Sequence, residues 1–216
     1  RQTLLEPVVL GKDGWFKSSE ADVSRPLPAP LPLKPFNRKS RLDEFRLGLD
    51  WKYYKEYDPA RASVKNKVLT LKAQGAGPAD SSPLLFVAGD HSYEFEAEGT
   101  RDPGAIAALV IFYNGSFYVG QGINGRGTLR YRRDDGSLRT RLDNATHVWL
   151  RLRNEDQVVT GYYSLDGKNW VRESWGMEIS GFNHNTLGDF QSMLPGLMAA
   201  GKGLVKFSNF KYRTLE

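Results

Sequence analysis

Residues 91–123 read HSYEFEAEGTRDPGAIAALVIFYNGSFYVGQGI, and the hydrophobic pattern changes twice within them. In the first run Tyr93, Phe95 and Ala97 alternate with Ser92, Glu94, Glu96 and Glu98. A period of two with one apolar and one charged side is that of a strand with one buried and one solvated face. An Asp-Pro-Gly turn follows. From Ala105 to Tyr113 the chain is apolar at odd and even positions alike, the pattern of a central strand covered on both faces. After Asn114-Gly115 a third run begins at Phe117. Three strands joined by tight turns, the middle one buried on both sides, require two layers of sheet.

The same grammar extends outward. LTLKAQ, SPLLFVAG, TLRYRR, THVWLRLRNE, VVTGYYSLDG and GLVKFSNFKY are short β-prone runs separated by Gly, Asp and Asn turns. In the segment after Thr146, Val148, Leu150 and Leu152 oppose Trp149, Arg151 and Arg153. No segment has a 3.6-residue period and none repeats. The expected fold is all-β, a two-sheet antiparallel β-sandwich. Ahead of it the composition shifts. Five of the chain's 11 prolines fall between Pro26 and Pro35, where fixed φ and missing donors favour an extended spacer. The expected organisation is a hairpin over 1–17 built around Gly-Lys-Asp-Gly, a Pro-rich linker over 18–39 and the sandwich over 40–216.

Bulk properties narrow the function classes. Apolar residues make up 40% and charged residues 25%, as in ordinary globular proteins. No apolar run is long enough for a membrane span. The absence of Cys rules out disulfides and thiolate metal sites. The net charge of +5 comes from scattered residues, and RNEDQ and RRDDG mix both signs. No nucleic-acid partner and no membrane partner are expected.

Catalytic constellations are poorly represented. Glu94, Glu96 and Glu98 share one strand face, so they cannot flank a scissile bond from both sides as glycoside hydrolysis requires; a solvated face is the expected role. His91, His147 and His184 lie in no nucleophile motif. GQGINGRG joins two strands and opens no helix, which argues against a phosphate cradle. The DDG and LDG turns offer too few oxygens for calcium; no cofactor is expected. Asn114 and Asn144 head N-x-S/T sequons at turns. In YYSLDGKNW, Trp170 is expected to pack across the Asp-Gly turn.

Binding fits the composition better. Aromatic residues are 12% of the chain, and flat rings beside Asn, Gln, Asp or Arg can pack on a sugar's C–H faces and bond its hydroxyls. The candidate pairs are Tyr118 with Gln121, Tyr131 with Arg130, and Trp149 with Arg151. Core packing or a surface cation–π pair is the competing role for each. A lone shallow site of this kind binds near millimolar, about −4 kcal/mol.

With these motifs in hand, the chain resembles a known family. ADSSPLLFVAGDHSYEFEAE, ALVIFYNGSFYVGQGI, GYYSLDGKNW and GLVKFSNFKY, in that order, look like the C-terminal concanavalin A-like β-sandwich, a jelly roll, of glycoside hydrolase family 43 β-xylosidases and arabinofuranosidases. That module is also classed as a xylan-binding module of family 91. The opening RQTLLEPVVLGKDGWFK is similar to the hairpin that ends the catalytic propeller of those enzymes. The resemblance implies that the catalytic carboxylates belong to the propeller and that this chain alone hydrolyses nothing. It implies xylan or xylo-oligosaccharide and the propeller as partners, and an extracellular or periplasmic setting. It also aligns LGDFQSMLPGLMAAG with a loop that pushes a Phe into the propeller pocket, which gives that role to Phe190.

Overall fold

The computed structural model describes residues 8–18, 51–55, 58–133, 135–188 and 191–215 of the 216-residue chain. Two compact units divide it, Arg1–Phe36 and Asn37–Glu216. In the first, β1 (Val8–Leu10) and β2 (Phe16–Ser18) form an antiparallel hairpin. Its turn closes with Gly11 N–H on the Trp15 carbonyl at 2.8 Å and Lys17 on Asp13 at 3.0 Å. The spacer expected over 18–39 lies outside the described residues, apart from Ser18.

The second unit is a β-sandwich of two seven-stranded antiparallel sheets. Its strands are β3 (Trp51–Tyr53), β4 (Ala62–Lys65), β5 (Val68–Lys72), β6 (Leu84–Phe86), β7 (Tyr93–Arg101), β8 (Ala105–Asn114) and β9 (Phe117–Asn124). There follow β10 (Gly127–Arg132), β11 (Asp135–Arg141), β12 (His147–Glu155), β13 (Val158–Ser164), β14 (Val171–Glu178), β15 (Leu194–Gly201) and β16 (Leu204–Thr214). Sheet I has the order β11-β10-β9-β8-β15-β6-β3, and sheet II the order β14-β13-β12-β7-β16-β5-β4. Helix is limited, among the described residues, to a 3-10 turn at Pro59–Arg61 and one turn, α1 (His184–Leu187), capped by Asn183 and ended by Gly188 at φ 79°.

Strand β8 shows why the doubly apolar run decides the fold. Ala107, Leu109 and Ile111 point between the sheets and meet Phe95, Leu150 and Phe207 of sheet II in the main core. Ala108, Val110 and Phe112 point the other way, into a second cluster with Tyr118, Leu129, Tyr131 and Met198 on the outer face of sheet I. Tyr54 and Ala79 cover that cluster. In the main core Phe86 packs edge-on against Phe95, Phe210 and Tyr212, with centroids 5.5–5.9 Å apart.

Five strands escape a reading of apolar runs. β3 has three residues. β4 joins β5 through Asn66 and Lys67, both at positive φ, a hairpin turn without the usual Asn-Gly signal. β11 swallows part of the Asp-Asp-Gly expected to be a turn. β14 is charged at its exposed positions. The stretch aligned with a loop, residues 187–201, yields β15 in the middle of sheet I. Pro195 is tolerated there because the β6 ladder uses only Gly196 and Leu197, so its missing donor is not needed on that side. Two buried arginines tie loops to this frame. Arg101 donates to the carbonyls of Asp102, Pro103, Ala105 and Ala145, and Arg61 reaches the Ser82 carbonyl at 2.9 Å.

Phe86→Ala is expected to cost about 3–5 kcal/mol, because a fully buried ring leaves a cavity. Urea unfolding of the isolated domain checks this, with the midpoint falling and the slope unchanged.

Candidate functional site

The structure sorts the candidate residues onto three surfaces. Tyr118 and Tyr131 come together on the outer face of sheet I. Gln121 and Arg130 are cross-strand neighbours in the register of β9 and β10. They lie one residue from Gly122 and Tyr131, and so on the opposite, inward side of the same strands. Trp149 and Arg151 occupy the outer face of sheet II. Phe190 lies outside the described residues.

The tyrosine pair borders a cleft of about 380 Å³, lined by Ala76–Asp80, Ile106, Tyr118, Asn124, Arg126, Leu129, Tyr131 and Gly136. The bed of the Tyr131 ring is made by glycines. A Cβ on Gly122 would sit 3.2 Å from Tyr131 Cε2 and 2.8 Å from the Ala108 Cβ, and one on Gly136 would sit 3.1 Å from Cε1. Close approach of a ring to the sheet backbone is thus what the glycine-rich GQGINGRG segment provides. The Tyr131 side chain is 4% exposed, and its hydroxyl has no hydrogen-bond partner among the described residues. Burial, with Tyr118 beside it, pushes the phenol above its ordinary pKa, so it stays protonated and can donate. The 76–80 loop is latched by Asp80, whose carboxylate accepts the Ala76 and Gly77 N–H groups at 2.9 Å. Burial alone would raise its pKa, but these N–H bonds hold it below the usual carboxylate value. Asn124 spends its Oδ1 on the Arg126 and Gly127 amides, which shapes the opposite lip.

Gln121 is fully buried, and both its amide atoms lack a hydrogen-bond partner among the described residues. It packs on Gly161, where a Cβ would overlap Oε1 of Gln121 and Cζ2 of Trp175. Beside it the two sheet edges are joined by Glu173, which accepts the Thr128 hydroxyl at 2.6 Å.

The outer face of sheet II differs from expectation. The glutamates do share a face, but Glu94 and Glu96 are only 4% and 7% exposed. Strands β12 and β16 flank β7, and their basic side chains fold over the carboxylates. Arg151 bonds Glu96 through Nε at 2.8 Å, Lys211 reaches Glu96 at 3.0 Å, and Arg213 reaches Glu94 at 2.6 Å. Paired burial replaces the solvated face. The tryptophans also exchange roles. Trp170 covers the flat face of Arg151, with the guanidinium carbon 3.8 Å from the ring centroid. It is Trp149 that abuts the turn, its ring atoms 2.7–3.0 Å from where a Cβ of Gly167 would stand. A planar cation already fixed by a carboxylate offers a ring more contact than the turn does. The turn itself is organised by Asp166, held below its normal pKa by the Asn169 and Lys168 N–H groups and by the Asn169 and Ser164 side chains.

Comparisons with known proteins fit this architecture. No protein-family model matches the chain, and no curated protein matches it. Solved structures do. The GH43 protein BlXynB from Bacillus licheniformis aligns over 97% of this chain and 46% of its own, at 21% identity and a TM-score of 0.77. A xylan beta-1,4-xylosidase from Bacillus halodurans aligns over 96% of this chain and 46% of its own, at 18% identity and a TM-score of 0.76. A functionally unknown protein from Saccharomyces cerevisiae aligns over 77% of this chain and 97% of its own, at 16% identity and a TM-score of 0.56. The chain therefore shares the fold of a portion of GH43 xylosidases and spans about half their length.

Acid should weaken the domain. Asp80, Asp166 and Glu98 all have depressed values, Glu98 because the bonds from His147, Ser208 and Asn209 outweigh its burial. Their stabilisation is fully present above the unfolded carboxyl range of about 4 and is lost as pH falls through the lower folded values. Thermal melts should drop below about pH 4, and Asp166→Asn should flatten that limb.

Proposed function

We propose that this chain is a non-catalytic accessory module of a family 43 xylan-degrading glycoside hydrolase, and that it binds xylan or xylo-oligosaccharides weakly. The observation that carries the reading is the alignment of almost the whole chain with one part of xylosidase structures. Two features support it. Glu94 and Glu96, two of the three glutamates on the β7 face, are committed to ion pairs with Arg151, Lys211 and Arg213. The tyrosine cleft has the mixed apolar and hydrogen-bonding lining of a small-ligand site. Tethering to a catalytic domain makes a weak site useful by raising its effective concentration. The setting is extracellular or periplasmic, where the polymer is. Calorimetric titration with xylohexaose is expected to show a dissociation constant near millimolar, with no hydrolysis of xylo-oligosaccharides by this chain. A folded sample giving no heat with about 10 mM sugar overturns the binding reading.

A second reading is a structural lid that docks on the propeller and completes its pocket through Phe190, without independent sugar binding. It is favoured by the first unit, whose hairpin exposes Val8, Val9, Leu10, Trp15 and Phe16; exposed apolar side chains suit a protein contact. Here a propeller expressed alone should be impaired and regain activity when this chain is added, with Phe190→Ala blunting the rescue. Unchanged activity on mixing removes this reading.

A further inference from the structure

We propose that the cleft between the 76–80 loop and the tyrosine pair is the sugar-binding site, and that the Tyr131 hydroxyl reads a sugar hydroxyl there. This assignment rests on the carbohydrate reading above and names the place and the chemistry. Three observations support it.

The first is the unpartnered hydroxyl. A buried phenol without a partner is costly, and proteins keep few of them. Phenylalanine would fill the same glycine bed without that penalty, so the oxygen has work that the unliganded fold does not show. The second is the lining. The cleft offers a donor in Tyr131, an amide on one lip in Asn124 and a guanidinium in Arg126, above apolar Leu129 and Ile106. Among the described residues its charged side chains are one acid, Asp80, already committed to the loop latch, and one base, Arg126. A neutral polyhydroxylated ring matches this set; a multiply charged anion does not. The third is size. A cleft of about 380 Å³ is at the small end of ligand pockets, which run from about 300 to 1,000 Å³. It holds a ring or two at the end of a chain, not a polymer threaded through. Tyr131 lies beneath Gly77, and that loop is held by the Asp80 carboxylate and by the Gly77 carbonyl, which accepts the Asp80 and Ser81 N–H groups, so the ligand meets the hydroxyl as the loop tip yields.

The test is titration of the full chain with xylotriose, by calorimetry and by amide NMR, in wild type, Tyr131→Phe and Arg126→Ala. Tyr131→Phe should melt at or above the wild-type temperature while binding about 3- to 10-fold more weakly, the weight of one neutral hydrogen bond. Arg126 is exposed, so Arg126→Ala leaves the fold intact and should also weaken binding, which keeps the test decisive if Tyr131→Phe does not fold. Amide shifts should cluster at residues 76–80 and 124–131. Binding that is unchanged in both variants, or shifts confined to Trp149, Tyr162 and Trp170 on sheet II, overturns the cleft and leaves the carbohydrate reading standing. If wild type binds no xylotriose at about 10 mM, the carbohydrate reading fails and the cleft assignment with it.

Discussion

Burial of strand β8 on both faces is the constraint from which the rest of the sandwich follows. A sheet whose central strand has no polar face cannot leave either side to water. The inner side is closed by sheet II, through Phe95, Leu150 and Phe207. Among the described residues no third sheet covers the outer side, and side chains and loops close it instead. Tyr118 of β9 and Tyr131 of β10 do part of this, and Tyr54 and the loop through Ala79 add to it. The cleft at the tyrosine pair exists because a loop, unlike a sheet, covers an apolar surface incompletely.

The opposite face solves the problem of water in another way. β7 carries glutamates at every second position, and its neighbours supply Arg151, Lys211 and Arg213 in register. Glu94 and Glu96 are screened by these long basic side chains and Glu98 by His147, Ser208 and Asn209, so the face is charged yet partly dry. Trp170 over Arg151 continues this layer outward. The two outer faces thus differ in kind: one is apolar under a loop, the other a lattice of ion pairs.

Much of this was legible in the residues. Period-two alternation over 92–98 and 148–153 and the doubly apolar run at 105–113 identified the two-layer class and the central strand. Strands whose inward residues are few or interrupted by Gly and Pro were not legible. β15 hides behind Pro195 and Gly196, and β14 behind Arg172 and Glu173. The candidate site was half legible. Tyr118 and Tyr131 stand out in the sequence, but beside Gln121 and Arg130, which lie three and one residues away. Residues adjacent or nearly so on a strand can point to opposite faces, and the register that joins Tyr131 to Tyr118 rather than to Arg130 is a tertiary fact. The contribution of residues 76–80 carries no local signal, since a loop's destination is set by the sheet it crosses. The bidding of Glu94 and Glu96 for basic partners was equally invisible, because those partners are about 55 and 115 residues away.

The order of strands within the sheets has a consequence for how molecules of this protein behave when crowded. Among the described residues the two sheets are open, not closed into a barrel, and end in β11, β3, β14 and β4. Any such border exposes backbone groups that could recruit a strand from another copy. Two of the four borders, β3 and β4, are only three and four residues long. The two longer ones carry Arg139 and Arg141, or Arg172 and Glu178. Short or charged margins are poor templates for intermolecular pairing, so an aromatic-rich chain built of strands is protected from fibrillar self-association by its periphery rather than by its core.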